Sequence, residues 1–339
     1  DVDGRFPPLR AGGDRGGAAF HVDLMYTQRE GETAIKVFQN FISDEAQIGQ
    51  TLVNPATRER GVWSFAASPA TYLIALEVSV PDTGMIGNGI PYEFSVSISP
   101  VTDLDLVELE PNATPSRSTP LPLNRSITGT SWDGSKDIDY YRVEVTEPGI
   151  LWLGLTRPDG VGSTKLTLRD GSGVEIGSTQ VPSNNLQAGH LQVGAGLAPP
   201  IERGSYTVQI SPENERPGSV YQLAAFFARA AKHELVGSPG VVRPLRLGEK
   251  LRVTVDAAPD LGTEFEIIDA RTQAVIVPSS RFVVTTSGVG EYTVAARDNF
   301  EGAIVIARLT NANGVTATLS IESPITVDTV PPVIRSVSH

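Results

Sequence analysis

Leu109-Glu110-Pro111-Asn112, Asp137-Ile138-Asp139-Tyr140-Tyr141-Arg142-Val143-Glu144-Val145 and Gly204-Ser205-Tyr206-Thr207-Val208 are the stretches on which the fold turns. In the second of them Asp137, Asp139, Tyr141, Val143 and Val145 fall on one face, and Ile138, Tyr140, Arg142 and Glu144 on the other. Side chains that alternate with a period of two line one face only if the chain is extended, so this is a strand with one buried side. Working outward, residues 150–156 follow a Pro148-Gly149 turn, and residues 165–169 meet 174–176 across Asp170-Gly171-Ser172-Gly173. Asp-Gly tolerates the positive φ that a tight hairpin turn demands.

The same grammar runs through the chain. Its 33 glycines and 25 prolines among 339 residues suit many short strands joined by turns. Helical periodicity is scarce, with candidates only at residues 44–51 and 185–189. The fold class expected is all-β, a tandem of β-sandwich domains with few or no helices. Residues 1–17 read as a flexible Gly/Arg-rich arm, 18–102 as a divergent sandwich, 103–232 as the middle sandwich, 235–328 as a third, and 329–339 as a Pro-containing linker. In the first segment, residues 19–26, 34–41, 62–66, 72–80 and 92–98 carry strand signals. Its last two strands form a Tyr-led pair, repeated weakly at 206–210 and 221–227. In the third, seven runs (251–255, 264–269, 274–277, 282–285, 290–296, 303–309 and 316–322) suit an immunoglobulin-like sandwich.

The acidic leading segment, the Asp-x-Asp strand and the Gly-x-Tyr strand, in that order, resemble the bacterial pre-peptidase C-terminal domain, over about a third of the chain. Leu166-x-Leu168-x-Asp170-Gly171 is similar to what that family shows at the same point. Asp328-Thr329-Val330-Pro331-Pro332 looks like the junction between bacterial Ig-like repeats. The resemblance implies a jelly-roll-like sandwich, a secreted context and calcium ligands, which carried over position by position are Glu110, Asn112, Asp137 and Asp139. Asp103, Asp105 and Glu108 lie close enough in sequence to contribute. Hard divalent cations prefer carboxylate and carbonyl oxygens, and two inward-facing aspartates at the start of a strand repel one another unless a cation or solvent intervenes. The competing reading makes Asp139 a strand cap bonded to backbone.

Composition removes several classes of function. There is no cysteine, hence no disulfide, thiolate nucleophile or cysteine-held zinc. With 39 acidic against 27 basic residues and a net charge of −12, the chain lacks the clustered cations that nucleic acid requires. No apolar run reaches the roughly 20 residues of a membrane-spanning helix, the longest lying at 223–228. Asp82-Thr83-Gly84 lacks the second copy that an aspartic protease needs and reads as a turn. His233-Glu234-Leu235-Val236-Gly237 has Gly where a zinc protease needs its second His. The other histidines, His21, His190 and His339, are isolated, and no serine sits in a Gly-x-Ser-x-Gly elbow. Asn112 and Asn124 head glycosylation-type triplets, which a bacterial resemblance makes coincidental. Trp63 and Trp152 read as packed in strands, whereas Trp132, in a Gly-rich loop, is the candidate contact for a partner or carbohydrate.

The expectation is therefore a non-catalytic, extracytoplasmic structural or docking subunit, periplasmic, cell-surface or secreted, that holds other protein subunits in a larger assembly. The alternative is a calcium-stabilised accessory region, carbohydrate- or protein-binding, of a secreted hydrolase.

Overall fold

A computed structural model describes residues 20–28, 32–39, 47–53, 60–67, 72–79, 92–100, 108–110, 112–131, 137–156, 163–182, 189–194, 199–213, 219–239, 243–286, 288–312 and 314–330. The described chain is all-β, with only short 3-10 turns besides its strands. In the first unit β1 (Phe20–Gln28), β4 (Arg60–Ala67) and β6 (Tyr92–Pro100) form one sheet. β2 (Glu32–Gln39), β3 (Gln47–Val53) and β5 (Tyr72–Ser79) form the facing one. Buried Tyr26 and Ile35 meet between them, with Ile74, Leu76 and Phe94 against the pair. The helix expected over 44–51 is corrected in its described part: residues 47–53 pair antiparallel with β2. β-branched Ile48, Thr51 and Val53 favour the extended state, and the ladder with β2 satisfies their backbone better than an isolated helical turn could.

The middle unit begins with β7 (Leu109–Glu110), which pairs in parallel with β4, Leu109 opposite Ala66 and Glu110 opposite Ala67. Then come β8 (Thr119–Pro120), β9 (Arg125–Ser131), β10 (Asp139–Val145), β11 (Ile150–Thr156), β12 (Ser163–Arg169), β13 (Glu175–Val181), β14 (Gly189–Val193), β15 (Gly204–Glu213) and β16 (Ser219–Leu235). One sheet runs β13-β12-β15-β10-β8; the other contains β14-β11-β16, with β9 also on β16. The Gly-x-Tyr stretch works as a corner: Tyr206 folds back and its phenol donates to the carbonyl of Glu202 at 2.7 Å.

β16 is the hinge of the architecture. Tyr221, Leu223, Ala225 and Phe227 point into the middle core, while Ala224, Phe226 and Ala228 point into a second core shared with the third unit. β11 is divided the same way, Leu151, Leu153 and Leu155 to one side, Ile150 and Trp152 to the other. The apolar run at 223–228 is thus a strand buried on both faces. A bulge between Ala228 and Ala230 sets Arg229 outside the ladder, where it bridges Glu147 at 2.7 Å and Asp256 at 3.3 Å. Beyond the bulge β16 pairs with β17 (Lys250–Ala257), passing through residue 232 without a break. β21 (Val289–Thr293) and β20 (Phe282–Thr286) complete that sheet. The facing one runs β19 (Val275–Val277), β18 (Gly262–Asp269), β22 (Phe300–Thr310), β23 (Thr316–Val327). All seven runs read in the third segment are strands.

Candidate cation site

At one end of the middle sandwich, four side chains anticipated from the sequence are buried: Glu110, Asn112, Asp137 and Asp139, with Asp139 wholly inaccessible. Two of them have a shared focus with a fifth residue. Carboxylate oxygens of Glu108, Glu110 and Asp139 all lie within 4.8 Å of one another. Asp137 is close enough to raise the proton affinity of both Glu110 and Asp139 by its charge, but it stands outside that triad. Asp103, Asp105, Asp82 to Gly84, His339 and Trp132 lie outside the described residues.

Local structure explains the convergence. Thr119 on β8 clamps the leading strand, its hydroxyl donating to the Leu109 carbonyl at 3.1 Å and accepting from the Leu109 amide at 3.2 Å. The chain then turns inward at Asn112, whose amide donates to Glu110 Oε2 at 3.1 Å and whose carbonyl accepts from Tyr140 on β10 at 3.2 Å. Glu108 and Glu110 therefore arrive beside Asp139, the first residue of β10. Glu108 is the most heavily held: the Thr130 amide (2.8 Å), Asn112 Nδ2 (2.7 Å), the Tyr141 hydroxyl (2.8 Å) and the Tyr221 hydroxyl (2.9 Å) all address it. Gly129 makes room, since a Cβ there would run into the rings of Tyr221 and Tyr141.

Three acids share this interior with no lysine, arginine or histidine bonded to them among the described residues. Burial raises the proton affinity of Glu108, and burial reinforced by neighbouring carboxylates raises that of Glu110 and Asp139 strongly. Burial likewise holds the phenols of Tyr141 and Tyr221 protonated, so they act as donors to the cluster. Even so, four oxygens remain buried with no hydrogen-bond partner among the described residues: Glu110 Oε1, Asn112 Oδ1, Asp139 Oδ1 and Ser131 Oγ. The first three belong to the cluster, and Ser131 shares a face of β9 with Gly129. Asn112 is oriented by its Nδ2 bond to Glu108, which leaves its amide oxygen free to accept.

Oxygen-only donors, an excess of negative charge and unsatisfied acceptors fit a hard divalent cation. Among the described residues no backbone group caps Asp139: its bonded oxygen takes the Tyr221 phenol at 2.6 Å, and its other oxygen has no partner there. The sequence reading made Glu108 a mere neighbour and did not place Tyr141 or Tyr221 at the site. The inward alternation of β10 announced Tyr141, but Tyr221 comes from 80 residues further along.

No family model matches the chain, and no curated protein matches it. Among solved structures it is similar to the pre-peptidase C-terminal domain of a collagenase from Bacillus anthracis, at 18% identity over 31% of this chain and 91% of that one, with a TM-score of 0.25. It is also similar to the glycoside hydrolase domain of Endo-D from Streptococcus pneumoniae R6, at 13% identity over 60% of this chain and 34% of that one, TM-score 0.21. A β-glucuronidase from Ruminococcus gnavus stands at 12% identity over 57% and 37%, TM-score 0.21. The chain spans little more than a third of those two enzymes. The site assignment rests on the cluster's own geometry.

Proposed function

We propose that this chain is a non-catalytic, extracytoplasmic accessory and docking module of tandem β-sandwiches, whose middle sandwich is locked by calcium held by Glu108, Glu110, Asn112 and Asp139. The observation that carries the cation is the set of buried, partnerless oxygens converging on three carboxylates. Calcium would neutralise the cluster and fix β7 against β10. The docking role is supported by open sheet edges on units joined through β7 and β16.

Two experiments test the two halves. Thermal unfolding of the full chain in CaCl2 rises above that in chelator, by several degrees at saturating calcium, and Asp139→Asn abolishes the rise, because a ligand of the folded state stabilises that state. An unchanged midpoint in wild type removes calcium. Cross-linking with mass spectrometry on protein isolated gently from its native envelope or secreted fraction yields reproducible links from more than one sandwich to the same non-identical subunits. A solitary chain, or turnover by this chain alone, overturns the docking role.

A further inference from the structure

The third unit contains a cleft of about 340 Å³ beside the turn that joins β19 to β20. Ile276, Pro278 and Phe300 form its apolar side, and Arg281, Arg297 and Asn299 its polar side. The two arginines differ in kind. Arg281 is locked, both terminal nitrogens 2.7 Å from the oxygens of Asp298 and its guanidinium 5.1 Å from the Tyr292 ring centre. Arg297 is exposed and has no hydrogen-bond or ion-pair partner among the described residues. In a chain of net charge −12, it leaves this cleft with an uncompensated positive charge.

The strands that flank the cleft are both sheet edges among the described residues: β20 ends one sheet and β19 the facing one. Natural edges are usually protected by charge, proline or brevity. β20, Phe282-Val283-Val284-Thr285-Thr286, carries neither charge nor proline, and Val283 and Val284 are 66% and 49% exposed, with Val275 on β19 at 51%. Opposite Val283 stands Glu291, already met by Arg252 at 2.7 Å and Lys250 at 3.5 Å, so the outer face presents no free acid to repel a partner there.

We propose that β20 is a docking edge for an extended peptide segment of a partner protein, which adds a strand to β20 and places an aspartate or glutamate side chain in the cleft at Arg297. Unpaired backbone groups of β20 match another strand's ladder, exposed Val283 matches aliphatic side chains at the alternate, outward-facing positions of that strand, and Arg297 selects the acid. Sugar hydroxyls would leave the valines uncovered. An anionic lipid surface would meet a protein of the same sign. The proposal rests on the docking role and names the surface that performs it.

The full chain, saturated with calcium, is used to select from a random dodecapeptide library. The expected result is enrichment of one acidic position flanked at alternate positions by Val, Ile or Thr. Against the selected peptide Arg297→Gln weakens binding about fivefold, as expected for a part-exposed ion pair, and the peptide's glutamine version binds wild type and variant equally. Val283→Lys abolishes binding with the unfolding midpoint unchanged. No enrichment, a motif without an acid, or full affinity in R297Q overturns the proposal. Acid-dependent binding indifferent to Val283→Lys also overturns it, leaving an anion site only. If native cross-links to partner subunits persist in these variants, the surface is wrong but the docking role stands; if wild type shows no partners, the role itself fails.

Discussion

Tyr221 has one phenolic proton and three oxygen neighbours within 3 Å: Asp139 Oδ2 at 2.6 Å, the Tyr141 hydroxyl at 2.7 Å and Glu108 Oε1 at 2.9 Å. With the Tyr141 to Glu108 contact at 2.8 Å there are four close oxygen pairs and two phenolic protons to serve them. A cation beside the carboxylates offsets the repulsion in the pairs left without a proton, and a proton retained by one carboxyl narrows the shortage to one. Tyr221→Phe leaves Asp139 and Glu108 short of a buried donor and lowers stability by about 1–3 kcal/mol in denaturant titration. A loss below about 0.3 kcal/mol would mean the phenol is not engaged. Asp298 obeys the opposite electrostatics. The Arg281 guanidinium first, then the Tyr292 hydroxyl and the Ala295 amide, hold its carboxyl well below the usual range. A folded-state pKa below the unfolded one stabilises fully above the unfolded value, near pH 4, and the contribution is lost as pH falls toward the folded value. Wild type should therefore exceed Asp298→Asn by about 2 kcal/mol at pH 7, and the gap should narrow steadily below pH 4; a pH-independent gap would contradict the ion pair.

At the scale of elements, strands were legible with one buried face or two, but for those with two the cores they serve were not. β10 announces itself by alternation, and so do the seven strands of the third unit, because each has one face toward solvent. β11 and β16 are apolar on both faces; they were read as strands at 150–156 and 221–227, but a run without a period of two does not say which core each face fills, nor that β16 continues to Leu235. Trp152 shows what that hides: it packs edge-on against Phe226, 5.5 Å between ring centres, and against His190 at 6.1 Å, in the core shared with the third unit. Its ring lies across Gly154, where any Cβ would collide with it. Gly154→Ala should cost about 1–3 kcal/mol as the indole is forced from its place, visible as quenched or shifted tryptophan fluorescence with a lowered midpoint. An unchanged midpoint and spectrum would mean that the indole does not lie there. Residues 44–51 show the converse, where local spacing suited a helix and pairing with β2 decided for strand from residue 47 onward.

Across the whole molecule, the proposed metal ligands were legible only as a set of residue types in order. Glu110, Asn112, Asp137 and Asp139 were named from the family resemblance; Asp137 stands outside the carboxylate triad, and the meeting of the others depends on the Thr119 clamp and on the β4 to β7 ladder, contacts no periodicity encodes. Glu108 was undervalued for the same reason: its partners Thr130, Tyr141 and Tyr221 lie 22, 33 and 113 residues away. The ladder also means that the cation would act beyond its own sandwich, because the strand it holds is hydrogen-bonded to the first unit. Crystals of the full chain grown with CaCl2 and measured at a long wavelength give the most direct test. An anomalous difference peak should stand within about 2.3–2.6 Å of Glu110 Oε1, Asn112 Oδ1 and Asp139 Oδ1, as calcium's oxygen distances require. A flat anomalous map there, with the carboxyl groups instead bonded to one another through retained protons, would contradict the account.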